Sequence, residues 1–309
     1  MRIHWLIGCM PRLNIYLPDD VYELASKWRN SANLSEICAQ AIRDEFNAVE
    51  ESRTFSRSLA KIRPPTDLEA LLASRFDLHE VVISDAPNGP NDLRDAIGKA
   101  ASGYIDKSIC DGSLVAIAGG RQIWCAVQHL SPRRVRSTIT ALGMHQADPQ
   151  LLHAHPNTLA TLMWLLYSPR SQAHVVGAQP NPNPWLGALP TKTHPTYFVF
   201  SSCSSFVADS PFAKLLGPEL VVQLLEHNVF ADYAYTFFDA SGKEIDIPLP
   251  GDQFRLPASL LRTLSARSDA RTVLIAGGED KFGAIRTTLT TKLCNSLITD
   301  PETGRHLLN

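Results

Sequence analysis

Polar and apolar side chains alternate strictly over "RLNIYL", with Arg12, Asn14 and Tyr16 on one side and Leu13, Ile15 and Leu17 on the other. That period of two predicts a short strand. Pro18, Asp19 and Asp20 then supply a helix start, the proline presetting φ and the carboxylates meeting the positive end of the helix dipole. Val21, Leu24, Ala25 and Trp28 recur at helical spacing. After a turn at 30–33, Asn33 and Glu36 have the spacing of a capping box, and Leu34, Ile37, Cys38, Ala41, Ile42 and Phe46 make the apolar stripe of a second helix. One strand and two amphipathic helices leave apolar faces and strand edges uncovered, so this unit is expected to pair with a second copy.

The pattern loosens over "EESRTFSRSLAKIRPPT", a polar linker in which Pro64 and Pro65 stop any helix. Arg53, Arg57 and Lys61 fall on one face there if it is helical, either as a solvated face or against DNA phosphates. From 67 onwards the period switches back and forth. "DLEALLASRF" reads as an amphipathic helix, "EVVI" as a strand, "LRDAIGKAASGYIDKSI" (93–109) as a helix and "SLVAIAGG" (113–120) as a strand ending in glycines. "TYFVFSS" (196–202) and "RTVLIAGG" (271–278) are further buried-strand patterns. Strands separated by helices and closed by glycine turns predict a doubly wound, mostly parallel α/β fold, with ligands at the carboxyl ends of the strands.

Bulk properties add little. With 309 residues, 44% hydrophobic and 19% charged, the chain can bury a full core, and its net charge of -2 does not exclude a small DNA-reading module on an acidic body. Six scattered cysteines without a C-x-x-C pair read as reduced thiols, hence a cytoplasmic protein with neither a disulfide framework nor a zinc site. No apolar run reaches the roughly 18 to 20 residues of a membrane span. Residues 1–9 precede Met10 and read as an upstream extension of the natural start.

Two strand ends share a design. In "AIAGGRQIW", Gly119 and Gly120 stand between a strand and a helix, where backbone N–H groups converge on an anion and Arg121 adds charge. In "LIAGGEDKFGAI", Lys281 lies just inside the next helix, either on an anion or in solvent. His153 and His155, with His145 nearby, lack a third clear ligand, so no metal is expected, and no cofactor. "GAQPNPNPWLGALPTKTHP" (177–195) reads as a surface loop or lid.

The N-terminal pattern resembles the ribbon-helix-helix DNA-binding family, because alternation is followed at once by "LPDD" and then "NLSEI". The resemblance implies paired strands in the major groove, with Arg12, Asn14 and Tyr16 reading bases and Asn33, Leu34 and Ser35 gripping a phosphate. Arg suits guanine and Asn adenine, whereas Tyr16 departs from the commoner small or amide residues. The segments "DLEALLASRFDLHEVVI", "DAIGKAASGYIDKSICDGSLVAIAGGRQ", "HPNTL", "ADYAYTFFDASGKEID" and "VLIAGGEDKFGAIRTTLTTKLCNSLITDPETGRHLL" resemble the SorC family sugar-binding domain, over nearly all of 67–309. That resemblance implies a fold similar to sugar-phosphate isomerases and a phosphorylated sugar or sugar acid as effector. Gly119, Gly120, Arg121, Gln122 and Lys281 would hold the phosphate, Asp232 the sugar hydroxyls, and His155 a place near the pocket. Gln122 stands where the family usually has Thr, Ala231 where it favours Gly, and "SSCSS" (201–205) replaces a glycine-rich strand end. "YAYT" also brings bulky Tyr233 and Tyr235 near the expected pocket.

The expected organisation is therefore a ribbon-helix-helix domain at 10–49, a linker at 50–66 and a SorC-like effector domain at 67–309. The expected function is a transcription regulator binding a palindromic operator in double-stranded DNA as a homodimer or homotetramer, and answering to a small anionic metabolite. An isomerase or hydrolase of sugar phosphates on the same fold is the alternative, with Asp232, Glu279 and Asp280 as available bases; an antitoxin-like module accounts poorly for the large ligand domain.

Overall fold

The computed structural model describes residues 66–87, 89, 92–143, 149–167, 172–174, 197–206, 218–247 and 255–309. All lie in the second of the two units, 1–54 and 55–309, into which the chain divides. The strand-helix-helix unit expected at 10–49, with Arg12, Asn14, Tyr16, Asn33, Leu34 and Ser35, falls outside the described residues, as does the linker up to residue 65.

In chain order the first half runs α1 (Asp67–Phe76), β1 (Glu80–Ile83), α2 (Leu93–Ser108), β2 (Leu114–Ile117), α3 (Arg121–Val127) and β3 (Thr138–Ala141). A 3-10 turn (Pro149–Ala154) leads into α4 (Pro156–Leu166), followed by β4 (Gln172–His174) and β5 (Tyr197–Ser201). Then come β6 (Cys203–Ser205), α5 (Pro218–Glu226), β7 (Ala231–Tyr233), β8 (Thr236–Phe238), β9 (Glu244–Ile245), α6 (Ala258–Ser265) and β10 (Ala270–Ile275). A second 3-10 turn (Glu279–Lys281) runs into α7 (Phe282–Thr290), before β11 (Ser296–Thr299) and α8 (Pro301–Leu308). The predicted α1 and β1 have the observed bounds. The strand predicted over 113–120 contracts to Leu114–Ile117 because the glycines that follow turn the chain out of the sheet.

Seven strands form one sheet in the order β1-β11-β10-β5-β2-β3-β4, and every pairing in it is parallel. Period-2 patterning then decides the layers. In β2, Val115 and Ile117 face one core and Ala116 the other; in β5, Phe198 and Phe200 oppose Tyr197 and Val199. α2, α3 and α4 cover the first face, and α1, α6, α7 and α8 cover the second. Strands buried on both sides are nearly continuous in apolar residues, the usual composition of a parallel sheet. The expected mostly parallel, doubly wound architecture is present.

A second sheet was not legible in advance. β6, β7, β8 and β9 form a small antiparallel sheet that starts directly after β5, so the chain leaves the large sheet at Ser202. It lies on the α7 side of the molecule, and Tyr233, Phe237 and Phe238, from both of its faces, are buried in that core.

Candidate functional site

The strand order reverses between β2 and β5: β3 and β4 extend to one side, β10, β11 and β1 to the other. Loops at the carboxyl ends of strands diverge at such a switch point and leave a crevice. Three adjacent strand ends frame it, those of β10, β5 and β2.

β2 and β10 end in the same tetrapeptide, Ile-Ala-Gly-Gly, at 117–120 and 275–278. The backbone repeats as well: Gly120 has φ 120° and ψ 156°, Gly278 φ 103° and ψ 150°. That region is essentially confined to glycine. Each turn is then pinned by a different device. The Gly120 amide donates to Ala154 O at 2.8 Å, which ties the β2 turn to the end of the 3-10 turn that leads into α4. The Gly278 amide donates to Thr303 Oγ1 at 3.0 Å, and Thr303 Oγ1 donates to Asp300 Oδ2 at 2.5 Å, so the β10 turn hangs from the N-cap of α8. Gly277 has no room for a side chain, because a Cβ there collides with Asp300 Oδ2 and Ile97 Cδ1.

Between these turns lies the end of β5. Lys281 Nζ donates to Ser202 Oγ at 3.4 Å, and Ser205 Oγ donates to Asp280 O at 2.9 Å, joining β5–β6 to the β10 turn. Asp232, on β7, is 5% exposed. Burial pushes its carboxyl up from the ordinary 3.8 to about 7, against the opposing pull of the Lys281 ammonium and of amides from Ser204 and Tyr235. The Ser204 amide meets Oδ1 at 3.2 Å.

The β2 side carries the other expected residues. Arg121, the first residue of α3, is exposed, and partial burial with the neighbouring Arg94 guanidinium holds it below its ordinary range while Asp280 opposes the shift. Sequence reading missed Arg94: it stands one residue inside α2, and only the packing of α2 on α3 brings it to Arg121. Gln122 is buried and its Nε2 donates to Arg94 O at 3.0 Å, so its amide fastens α3 to α2. His155 is buried as the N-cap of α4, its Nδ1 accepting the Asn157 amide at 3.3 Å. His153 packs edge-on against Trp124, with centroids 5.3 Å apart. Among the described residues no group of three or more His, Cys, Asp or Glu side chains gathers to hold a metal ion.

The arrangement can do a definite kind of chemistry. Lys281, Arg121 and Arg94 supply positive charge, the first amides of α3 have no intrahelical partner by position, the half-buried Ser202 and Ser205 add hydroxyls beside Lys281, and Asp232 offers a buried acceptor. That set suits a small polyol bearing an anionic group.

Comparison with known proteins bears on the same region. A family profile described as "Putative sugar-binding domain" matches residues 60–164 and 207–309. The deoxyribonucleoside regulator of Bacillus subtilis (strain 168) is 24% identical over 266 residues, spanning 80% of this chain and 82% of that protein. The full-length sorbitol operon regulator SorC of Klebsiella pneumoniae superposes with a TM-score of 0.62 at 17% identity, over 95% of this chain and 100% of that one. The probable sor operon regulator of Shigella flexneri gives 0.60 at 19% identity, over 78% and 98%.

Proposed function

The chain belongs to the sugar-binding domain family, and from that premise we propose that it is a transcription regulator whose α/β domain takes a small phosphorylated or carboxylated sugar and thereby changes DNA affinity. The paired Ile-Ala-Gly-Gly turns flanking β5, with Lys281 and Asp232 between them, carry the reading. In this reading Lys281 and Arg121 hold the anion beside the Gly119–Gly120 and Gly277–Gly278 turns. Asp232 accepts from sugar hydroxyls, with Ser202 as neighbour, and Gln122 and His155 keep α3 and α4 in place around the turn. The regulator names of the Bacillus and Klebsiella relatives support this class over an isomerase or hydrolase.

DNA reading belongs to the same proposal. Arg12, Asn14 and Tyr16 would face bases and Asn33, Leu34 and Ser35 a phosphate, in an assembly of at least two chains, since a lone ribbon strand has no partner. Arg12→Ala or Asn14→Ala is expected to cost on the order of 1 to 3 kcal/mol of specific binding.

Thermal shift against sugar phosphates, sugar acids and their lactones is the primary test, because a ligand that binds only the folded state raises the melting temperature. Lys281→Ala is expected to abolish most of the shift. A hit that is bound unchanged over hours by NMR and alters operator affinity fits the regulator. Turnover of the hit, stopped by Asp232→Asn, would replace it with the enzyme.

A further inference from the structure

β7 and β8 are joined by a two-residue hairpin, since Tyr233 pairs with Thr236, and both loop residues have positive φ: Ala234 at 52° and Tyr235 at 62°. This is the conformation of a type I′ turn, where Asn-Gly is the common choice. A buried aromatic residue there is an outlier that persists only when its surroundings hold it.

The surroundings do hold it. The Ala234 amide donates to Ser201 Oγ at 3.0 Å, and the Tyr235 amide donates to Asp232. The phenol oxygen accepts the Gly119 amide. The ring, in a residue only 6% exposed, lies over the ends of β2 and β3. A Cβ on Gly119 would sit 3.0 Å from Tyr235 Oη, and one on Gly143 would sit 2.5 Å from its Cζ. Gly143 itself has φ 124°. Gly143 thus makes room for the tyrosine ring, Gly119 is crowded by Pro156 and Ala154 as well as by the phenol, and the tyrosine takes an amide of the β2 turn away from any anion.

We propose that Tyr235 is the specificity-determining wall of the effector crevice, closing its β2–β3 end and limiting the ligand to a short polyol anion seated against β5 and β10. The proposal rests on the effector reading above and deepens it. It narrows that reading: the anion sits toward Lys281 and the Gly278 turn, Arg121 contributes positive charge from the rim alone, and the sugar runs to Asp232 and stops at the phenol.

The test compares wild type, Tyr235→Gly, Tyr235→Phe and Lys281→Ala by isothermal titration with glyceraldehyde 3-phosphate, ribose 5-phosphate, fructose 6-phosphate and fructose 1,6-bisphosphate. Glycine accepts this backbone without strain. Tyr235→Asn, the other residue tolerant of it, replaces the glycine variant if the latter melts without a cooperative transition. Wild type is expected to bind the short probes best. Tyr235→Gly is expected to gain at least tenfold for the hexose probes relative to the triose, while Tyr235→Phe keeps the wild-type profile because the ring is what closes the end. Lys281-dependent binding with one length profile in all Tyr235 variants overturns the wall and leaves the effector reading standing. No binding by wild type or by Tyr235→Gly overturns both.

Discussion

At the scale of single residues, Asp232 joins burial to function. Its carboxyl is raised from 3.8 to about 7 chiefly by burial. Between those values the folded protein holds a proton that the unfolded chain has released, so this group's contribution to stability falls as pH rises from about 4 to about 7 and is level outside that window. Asparagine has no proton to lose. Asp232→Asn is therefore expected to gain on wild type across the window, by at most about 4 kcal/mol, read from urea denaturation of both proteins at pH 4.5 to 7.5. Parallel curves for the two would remove the buried-proton account. A ligand donating hydroxyls to the carboxylate favours its charged form, so effector affinity should rise with pH through about 7, and Asp232→Asn should lose that rise while keeping any change due to the second ionisation of a phosphate monoester at about 6. Part of this was readable in the sequence: Lys281 and the two glycine pairs follow strand ends that the hydrophobic pattern marks, whereas Asp232, in the middle of β7, was expected only from the family resemblance of "ADYAYTFFDASGKEID". Arg94 was not, because its meeting with Arg121 depends on α2 packing on α3. Gln122 illustrates the opposite case, a residue in the right loop whose side chain turns to Arg94 O.

At the scale of elements, the legible parts were those whose pattern is set by burial in one large sheet. β2, β5 and β10 are buried on both faces, so their apolar runs announce themselves, and α1 carries its capping box in the sequence: Thr66 accepts the Glu69 amide while Glu69 takes the Thr66 amide. The strands of the small sheet are two or three residues long, and "CSS" has no strand propensity to speak of; pairing with β7 alone makes it a strand. The β10 turn offers a prediction at this scale. Thr303 Oγ1 both accepts the Gly278 amide and donates to Asp300, so it connects the first turn of α8 to a loop of the crevice. Thr303→Val removes both bonds at nearly constant volume and leaves a part-buried amide unsatisfied, at an expected cost of about 1–3 kcal/mol. Thr303→Ser keeps the hydroxyl and should stay close to wild type. Urea midpoints give the cost, and the anion-induced thermal shift should shrink in the valine variant alone. Equal behaviour of the valine and serine variants would mean that α8 does not support the turn.

At the scale of the whole molecule, the proposed function requires that a ligand in an α/β crevice alter DNA binding by another part of the chain. No ligand shifts an equilibrium unless it binds two arrangements of the protein with different affinity. If effector occupancy changes operator affinity by some factor, saturating operator must change effector affinity by the same factor, because both legs of the cycle share one coupling free energy. Such couplings are typically worth about 1–3 kcal/mol, or roughly 5- to 150-fold. The expected result is equal factors from two independent titrations: operator fragment into protein with and without the effector found by thermal shift, and that effector into protein with and without operator. Lys281→Ala should bring the first factor to one without touching operator binding in the absence of effector, since the side chain serves the crevice. Arg12→Ala should weaken operator binding while leaving effector affinity in free protein unchanged. A protein whose effector affinity ignores operator, yet whose DNA binding appears to respond to effector, would be responding by another route, such as assembly state. Light scattering across the same titration detects that directly, because a change in the number of chains alters the scattering mass while a change of arrangement at constant number does not.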